Sequence, residues 1–110
     1  MTATVFETGN YRRKAARLLS EAERVEVRAH LAANPEAHDV IPGLGGLRKA
    51  RWGQESRGKG KRGGVRIIYF YALSGMVALI DIYSKGEKTD LNEVDKKWLR
   101  RELAEIKAAL

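Results

Sequence analysis

At 110 residues, 44% of them hydrophobic, the chain has room for one domain spanning 1–110, with a modest core of one sheet and a few helices. It has no cysteine, which excludes disulfide scaffolds and thiolate zinc sites; with no secretion signal and no apolar run near the roughly 20 residues of a membrane span, a reducing cytoplasm is the expected compartment. The net charge of +7 is confined to Arg48 through Arg66, where eight Lys and Arg face one Glu while the rest of the chain holds thirteen of each sign, and charge so localised implies a localised polyanionic partner.

Thr4-Val-Phe-Glu7 alternates as a short strand, and after Gly9-Asn10 the residues Tyr11, Ala15, Leu18 and Leu19 recur at helical spacing. Ser20-Glu-Ala-Glu23 is a capping box, so a second helix starts near Ser20 and runs to about Ala33, where Asn34-Pro35 ends it. Pro35 to Gly46 reads as a surface connection. Leu47 to Trp52 is a strand, Gly53 to Gly60 a mobile basic loop, and Val65 to Leu73 a central strand apolar on both faces. Ser74-Gly75 turns into a further strand over Met76–Lys85, forming an antiparallel hairpin. Leu91, Val94, Trp98, Leu103 and Ile106 form the apolar stripe of a closing helix. The expected fold is α+β in the order βααβββα: an N-terminal helical hairpin on a small, mainly antiparallel twisted sheet, with a C-terminal helix.

Strand alternation places Asp81, Tyr83 and Lys85 on one face, with Arg51 and Arg66 on neighbouring strands. Cleavage of RNA by its own 2′-hydroxyl requires a proton acceptor, charge stabilisation at phosphorus and a proton for the departing 5′-oxygen. Arginine, lysine and tyrosine can share these tasks, provided that crowded positive charge depresses the pKa of the lysine or tyrosine that acts as base. The ordinary structural reading of each residue is an ion pair for a strand arginine and core packing for a strand tyrosine. Tyr69, Phe70 and Tyr71 point to both faces of a central strand and are read as core rather than as base-stacking platforms. His30, mid-helix, and His38, in a loop, have no second imidazole or carboxylate at metal-ligand spacing, so neither suggests zinc and both read as surface residues. Gly43-Leu-Gly-Gly46 lacks the lysine of a phosphate-binding loop.

Gly45-Gly-Leu-Arg-Lys-Ala-Arg-Trp52, Arg57-Gly-Lys-Gly-Lys-Arg-Gly-Gly-Val-Arg-Ile-Ile-Tyr69 and Tyr83-Ser-Lys85 together resemble the RelE/ParE superfamily of type II toxins, especially its HigB-like branch. The resemblance runs over almost the whole chain. It implies a metal-independent endoribonuclease that cuts messenger RNA in the ribosomal A site, leaves a cyclic phosphate and needs no cofactor. The catalytic positions it implies are Arg51, Arg66, Tyr83 and Lys85. Arg51 and Arg66 would stabilise charge on the phosphate, Lys85 would move a proton or stabilise charge, and Tyr83 would stack on a base or move a proton. Arg48, Lys49, Arg57, Lys59, Lys61, Arg62 and Lys88 would bind RNA. Implied partners are messenger RNA, the 70S ribosome and a cognate antitoxin of the HigA-like helix-turn-helix kind, through which the complex would reach operator DNA. The sequence departs from the RelE branch in that Lys88-Thr-Asp-Leu-Asn92 lacks that branch's tyrosine, so Tyr83 would have to take its place. A ParE-like gyrase inhibitor of the same fold is one rival, against which Arg51, Arg66 and Lys85 argue. A nonenzymatic RNA- or ribosome-binding module is the other, and for that the basic stretch alone suffices.

Overall fold

In the computed structural model, which describes residues 2–110, the two most apolar segments form the middle of a four-stranded sheet. These are β3 (Val65–Tyr71) and β4 (Met76–Ser84), paired antiparallel; β2 (Arg48–Trp52) adds antiparallel to β3, and β1 (Thr4–Glu7) adds parallel to β4. The sheet is therefore mixed, in the order β1-β4-β3-β2. The helices α1 (Gly9–Leu18) and α2 (Glu21–Ala33) follow β1, and α3 (Glu93–Ala109) closes the chain, giving the expected βααβββα order.

Local chemistry sets the helix boundaries. Thr8 caps α1 by accepting from the Tyr11 amide, while its hydroxyl donates to the Leu79 carbonyl and fixes the helix start against β4. Ser20 and Glu23 form both bonds of the capping box on α2, and Asn92 and Asp95 do the same for α3. Gly75, at φ +92°, supplies the left-handed residue that turns β3 into β4.

The sheet is buried on both faces. Tyr11, Ala15, Leu18, Val27 and Leu31 of the helical hairpin pack with Val65, Ile67, Tyr69, Leu79 and Ile82; Leu99 and Leu103 of α3 pack on the other face with Ile68, Ile80 and Tyr83. Burial on both sides is why β3 and β4 read as continuous apolar runs. Tyr69 is fully buried and its hydroxyl donates to the Pro35 carbonyl at 2.8 Å, in agreement with a structural role. The Pro35–Gly46 connection does more than cross the surface. Leu44 is fully buried, and Asp39 to Ile41 lies beside β2, with the Asp39 carbonyl accepting from Lys49 and the Ile41 amide donating to Leu47, so it covers part of an exposed edge.

Three expectations need correction. First, β4 is irregular: Ile68 faces Asp81 but Tyr69 faces Leu79, leaving Ile80 as an extra residue. The bulge shifts the alternation, so Ile80 and Tyr83 side with α3 and Ile82 with the hairpin, while Asp81 accepts from Asn10 (2.9 Å) and Lys14 (2.8 Å) of α1. Asp81, opposite Ile68, still shares the α3 face with Tyr83, as alternation predicts, but its carboxylate is engaged in an ion pair with α1. Second, the Gly53–Gly60 segment is anchored. It forms a 3-10 turn at Glu55–Arg57, the buried Gln54 donates to the Leu18 carbonyl at 2.7 Å, and Glu23 accepts from the Ser56 hydroxyl at 2.7 Å and from its amide. Burial alone would raise the Glu23 pKa, but hydrogen bonds from Ser20 and Ser56 outweigh it and hold the group below its ordinary value.

Third, the closing stripe is offset. The helix begins only at Glu93, so Leu91 precedes the cap, and its buried residues are Leu99 and Leu103, whereas Val94 is 77% exposed. The offset is measurable. Leu99→Ala is expected to destabilise the protein by about 2–5 kcal/mol in urea unfolding, as buried leucine truncations do. Val94→Ala should stay within about 0.5 kcal/mol of wild type. Equal losses at the two positions would contradict this register.

Candidate functional site

The pairing register lines up three of the expected site residues across the sheet. Arg51 of β2 faces Arg66 of β3, and Arg66 faces Tyr83 of β4. Alternation fixes their side: Arg66 lies two residues before Ile68, and Tyr83 itself packs in the α3 cluster, whereas Ala50 and Trp52, flanking Arg51, pack against the hairpin. The Lys85 amide donates to the Gly64 carbonyl at 3.0 Å, carrying the β3–β4 pairing one step further and bringing the fourth residue to the end of the row.

Arg66 is only 5% exposed. Its Nη1 donates to the carbonyls of Lys61 (2.9 Å) and Val65 (3.2 Å), and its Nη2 to that of Arg62 (3.3 Å). Among the described residues no carboxylate forms a salt bridge with it. Gly64 makes this arrangement possible, since a Cβ there would collide with the Trp52 carbonyl where the β2 and β3 ends converge.

Tyr83 is 2% exposed, and its hydroxyl is buried without a hydrogen-bond partner. Burial, then the nearby Asp90 carboxylate, pushes its pKa up to about 12, against the smaller opposing effect of Arg66. The expected depression by clustered cations is therefore reversed: the phenol is neutral at physiological pH and can donate a proton but not accept one. Base stacking is also disfavoured, because the ring is buried and the Lys88 ammonium lies 5.4 Å from its centroid. Lys88 also donates to Asp95 at 3.0 Å, and Lys49 pairs with Asp90 at 3.7 Å. Asp90 was not singled out from sequence; a hydrogen bond from the Leu91 amide lowers its pKa, leaving an exposed carboxylate beside Lys49 that acts on Tyr83. Its only sequence signal was its position in the polar loop after β4.

The RNA-binding candidates divide. Lys49, Lys88 and the exposed Lys59, Lys61 and Arg62 flank the row or sit on the loop above it. Arg57 is exposed on the 3-10 turn and donates to the Arg17 carbonyl. Arg48 does not join them. It shares the hairpin side of β2 with Ala50 and Trp52 and donates to the Glu36 and His38 carbonyls, which makes it an anchor for the Pro35–Gly46 connection. The histidines were also misread: His30 and His38 meet with Nε2 atoms 2.9 Å apart, on the hairpin side of the sheet.

Tyr83→Phe tests the orphaned hydroxyl. Removing a buried polar atom that has no partner should leave stability unchanged or slightly raised, within about 1 kcal/mol, as read by the thermal midpoint. A loss of more than about 2 kcal/mol would mean that the hydroxyl is bonded in the free protein.

No family model matches the chain. Among solved structures, a double arginine-to-alanine mutant of the E. coli toxin RelE in the free state superimposes with a TM-score of 0.57 at 15% identity, over 81% of this chain and 90% of that one. Element order, mixed four-stranded sheet and flanking helices agree with it, and the chain has a RelE-like fold.

Proposed function

We propose that the protein is the toxin of a type II toxin–antitoxin pair, of the HigB-like branch, and that it works in the cytoplasm as a metal-independent endoribonuclease on messenger RNA in the ribosomal A site. The observation that carries this reading is a buried guanidinium with no carboxylate partner, facing a buried phenol with no partner at all. A phosphodiester would bring a negative charge to Arg66 and an acceptor to the Tyr83 hydroxyl. Arg66 and Arg51 stabilise the charge that develops on the phosphate oxygens. Tyr83, neutral at physiological pH, donates its proton toward the departing 5′-oxygen or holds a phosphate oxygen. Lys85 adds charge at the end of the row, and the 2′-hydroxyl proton passes to an ionised carboxylate, for which Asp90 is the group at hand. Lys49, Arg57, Lys59, Lys61, Arg62 and Lys88 track the RNA backbone. The fold shared with the E. coli toxin RelE supports the same reading, and a HigA-like antitoxin would silence the protein by covering this face with acidic side chains.

The test is reconstitution with programmed 70S ribosomes, comparing wild type with Arg51→Ala and Lys85→Ala, both exposed positions whose loss spares the core. Codon-phased 5′ ends are expected with wild type, and the cleavage rate should fall by roughly 10²-fold in Arg51→Ala, the scale for losing one transition-state donor. Intact messenger RNA with arrested translation would replace this reading with a ribosome-binding module. DNA damage on induction, with translation unaffected, would point to gyrase.

A further inference from the structure

The hairpin side of β2 holds a second constellation, separate from the Arg66 row. A cleft of about 600 Å³ lies between α2, the end of β2 and the anchored loop. In its wall the half-buried rings of His30, from the last turn of α2, and His38, from the following connection, bring their Nε2 atoms to 2.9 Å. Aromatic neighbours hold both rings: Trp52 lies 5.3 Å from His30, and Tyr69 stands edge-on to His38 at 6.2 Å.

Two imidazole nitrogens at this separation can share a single proton, because only one of them can be the donor. The same separation suits two adjacent ligands of one metal ion. Bonds of about 2.0–2.1 Å put such nitrogens about 2.9 Å apart at a right angle and about 3.4 Å apart at the tetrahedral angle. We propose that His30 and His38 form a binding site for a divalent transition-metal ion of the Zn²⁺, Ni²⁺ or Cu²⁺ kind, the ion taking the place of the shared proton.

The surroundings fit a cation better than the basic sequence suggests. Glu23, Glu26 and Glu55 line the cleft against Arg51 and Lys61, so its wall is slightly acidic. Glu26 precedes His30 by one helical turn on α2 and lines the same cleft, which places a third donor on the same side of the helix. Among the described residues no three such groups have already converged, so water and a rotated Glu26 side chain complete the coordination, and the ion exchanges readily. The nearest cations do not block it. Arg48 is turned to backbone carbonyls, and Lys61 is exposed and can swing outward. Binding would tie α2 to the connection that covers the β2 edge.

The experiment is titration of the metal-stripped full chain with NiCl₂ and ZnCl₂ by calorimetry, for wild type, His30→Ala, His38→Ala and Glu26→Gln, with circular dichroism as the folding check. One ion per chain is expected, with proton release on binding and with affinity falling between about pH 7.5 and about pH 5.5 as the imidazoles protonate. Either histidine variant should bind at least about tenfold more weakly, and Glu26→Gln should lose less. No binding by wild type would overturn the proposal, as would wild-type affinity in both histidine variants, which would assign the ion to surface carboxylates. A second readout needs no variant. The chain has two histidines, and substoichiometric Cu²⁺ should broaden the ring resonances of both in wild type. Broadening of neither would overturn the site even if the variants failed to fold.

Discussion

Arg66 is the constraint around which the basic edge is arranged. A guanidinium taken out of water needs either an opposite charge or a full set of acceptors, and here it has only backbone carbonyls, two of them from the loop that carries Lys61 and Arg62. Those bonds hold cationic residues close to another cation, an arrangement that repels itself and gains from any bound anion. The loop is meanwhile fixed from its other end, through Ser56 on Glu23 and Gln54 on Leu18. A segment that composition marks as flexible is thus tied to the hairpin on one side and to a central strand on the other. Its charges are presented on a frame, which reduces the ordering entropy that a polyanion would otherwise have to overcome.

The bulge in β4 decides what the two faces of the sheet can do. By inserting Ile80, it frees Asp81 to pair with Lys14 and lets the Ile80 carbonyl accept from Thr8 and Asn10, so α1 is docked where β1 ends. The same extra residue turns Tyr83 toward α3 and into line with Arg66 and Arg51. Had the alternation continued unbroken from Leu79, Arg66 would face Ile82, and Tyr83 would turn to the hairpin side. The alignment of the row therefore depends on one irregularity of pairing.

Much of this was legible in the chain. The capping box at Ser20, the two-faced apolar runs of β3 and β4, and the alternation of β2 placed the strands and carried Arg51 and Arg66 to one face. What was illegible shares a physical cause: each feature depends on contacts between segments distant in sequence or on a local break in periodicity. The bulge left no mark in the residue pattern. Val94 and Leu99 are equally apolar, and only the helix start at Glu93 decides which one turns inward. His30 and His38 are brought together by the way the Pro35–Gly46 connection doubles back along β2. Arg48 could have been assigned correctly, since alternation already separates it from Lys49 and Arg51. The direction of the Tyr83 shift was missed because desolvation, which requires knowing what covers the ring, outweighs the cations that the sequence shows.

Burial and charge also differ between the two sides of β2. On the α3 side, Arg66 and Arg51 carry positive charge with no carboxylate in a salt bridge to either among the described residues, while Asp90 and Asp95 beside Tyr83 are paired with Lys49 and Lys88. Across β2, two imidazoles sit in a wall whose carboxylates outnumber its cations. A single edge strand separates these environments, with Arg51 bordering both and Trp52 reaching only toward the histidines. Both can coexist so closely because the protein interior between them is apolar and each set of charges is screened mainly by the solvent on its own side. The cations of β2 thus divide by strand alternation, with Lys49 and Arg51 on the α3 side and Arg48 turned to the connection that it holds.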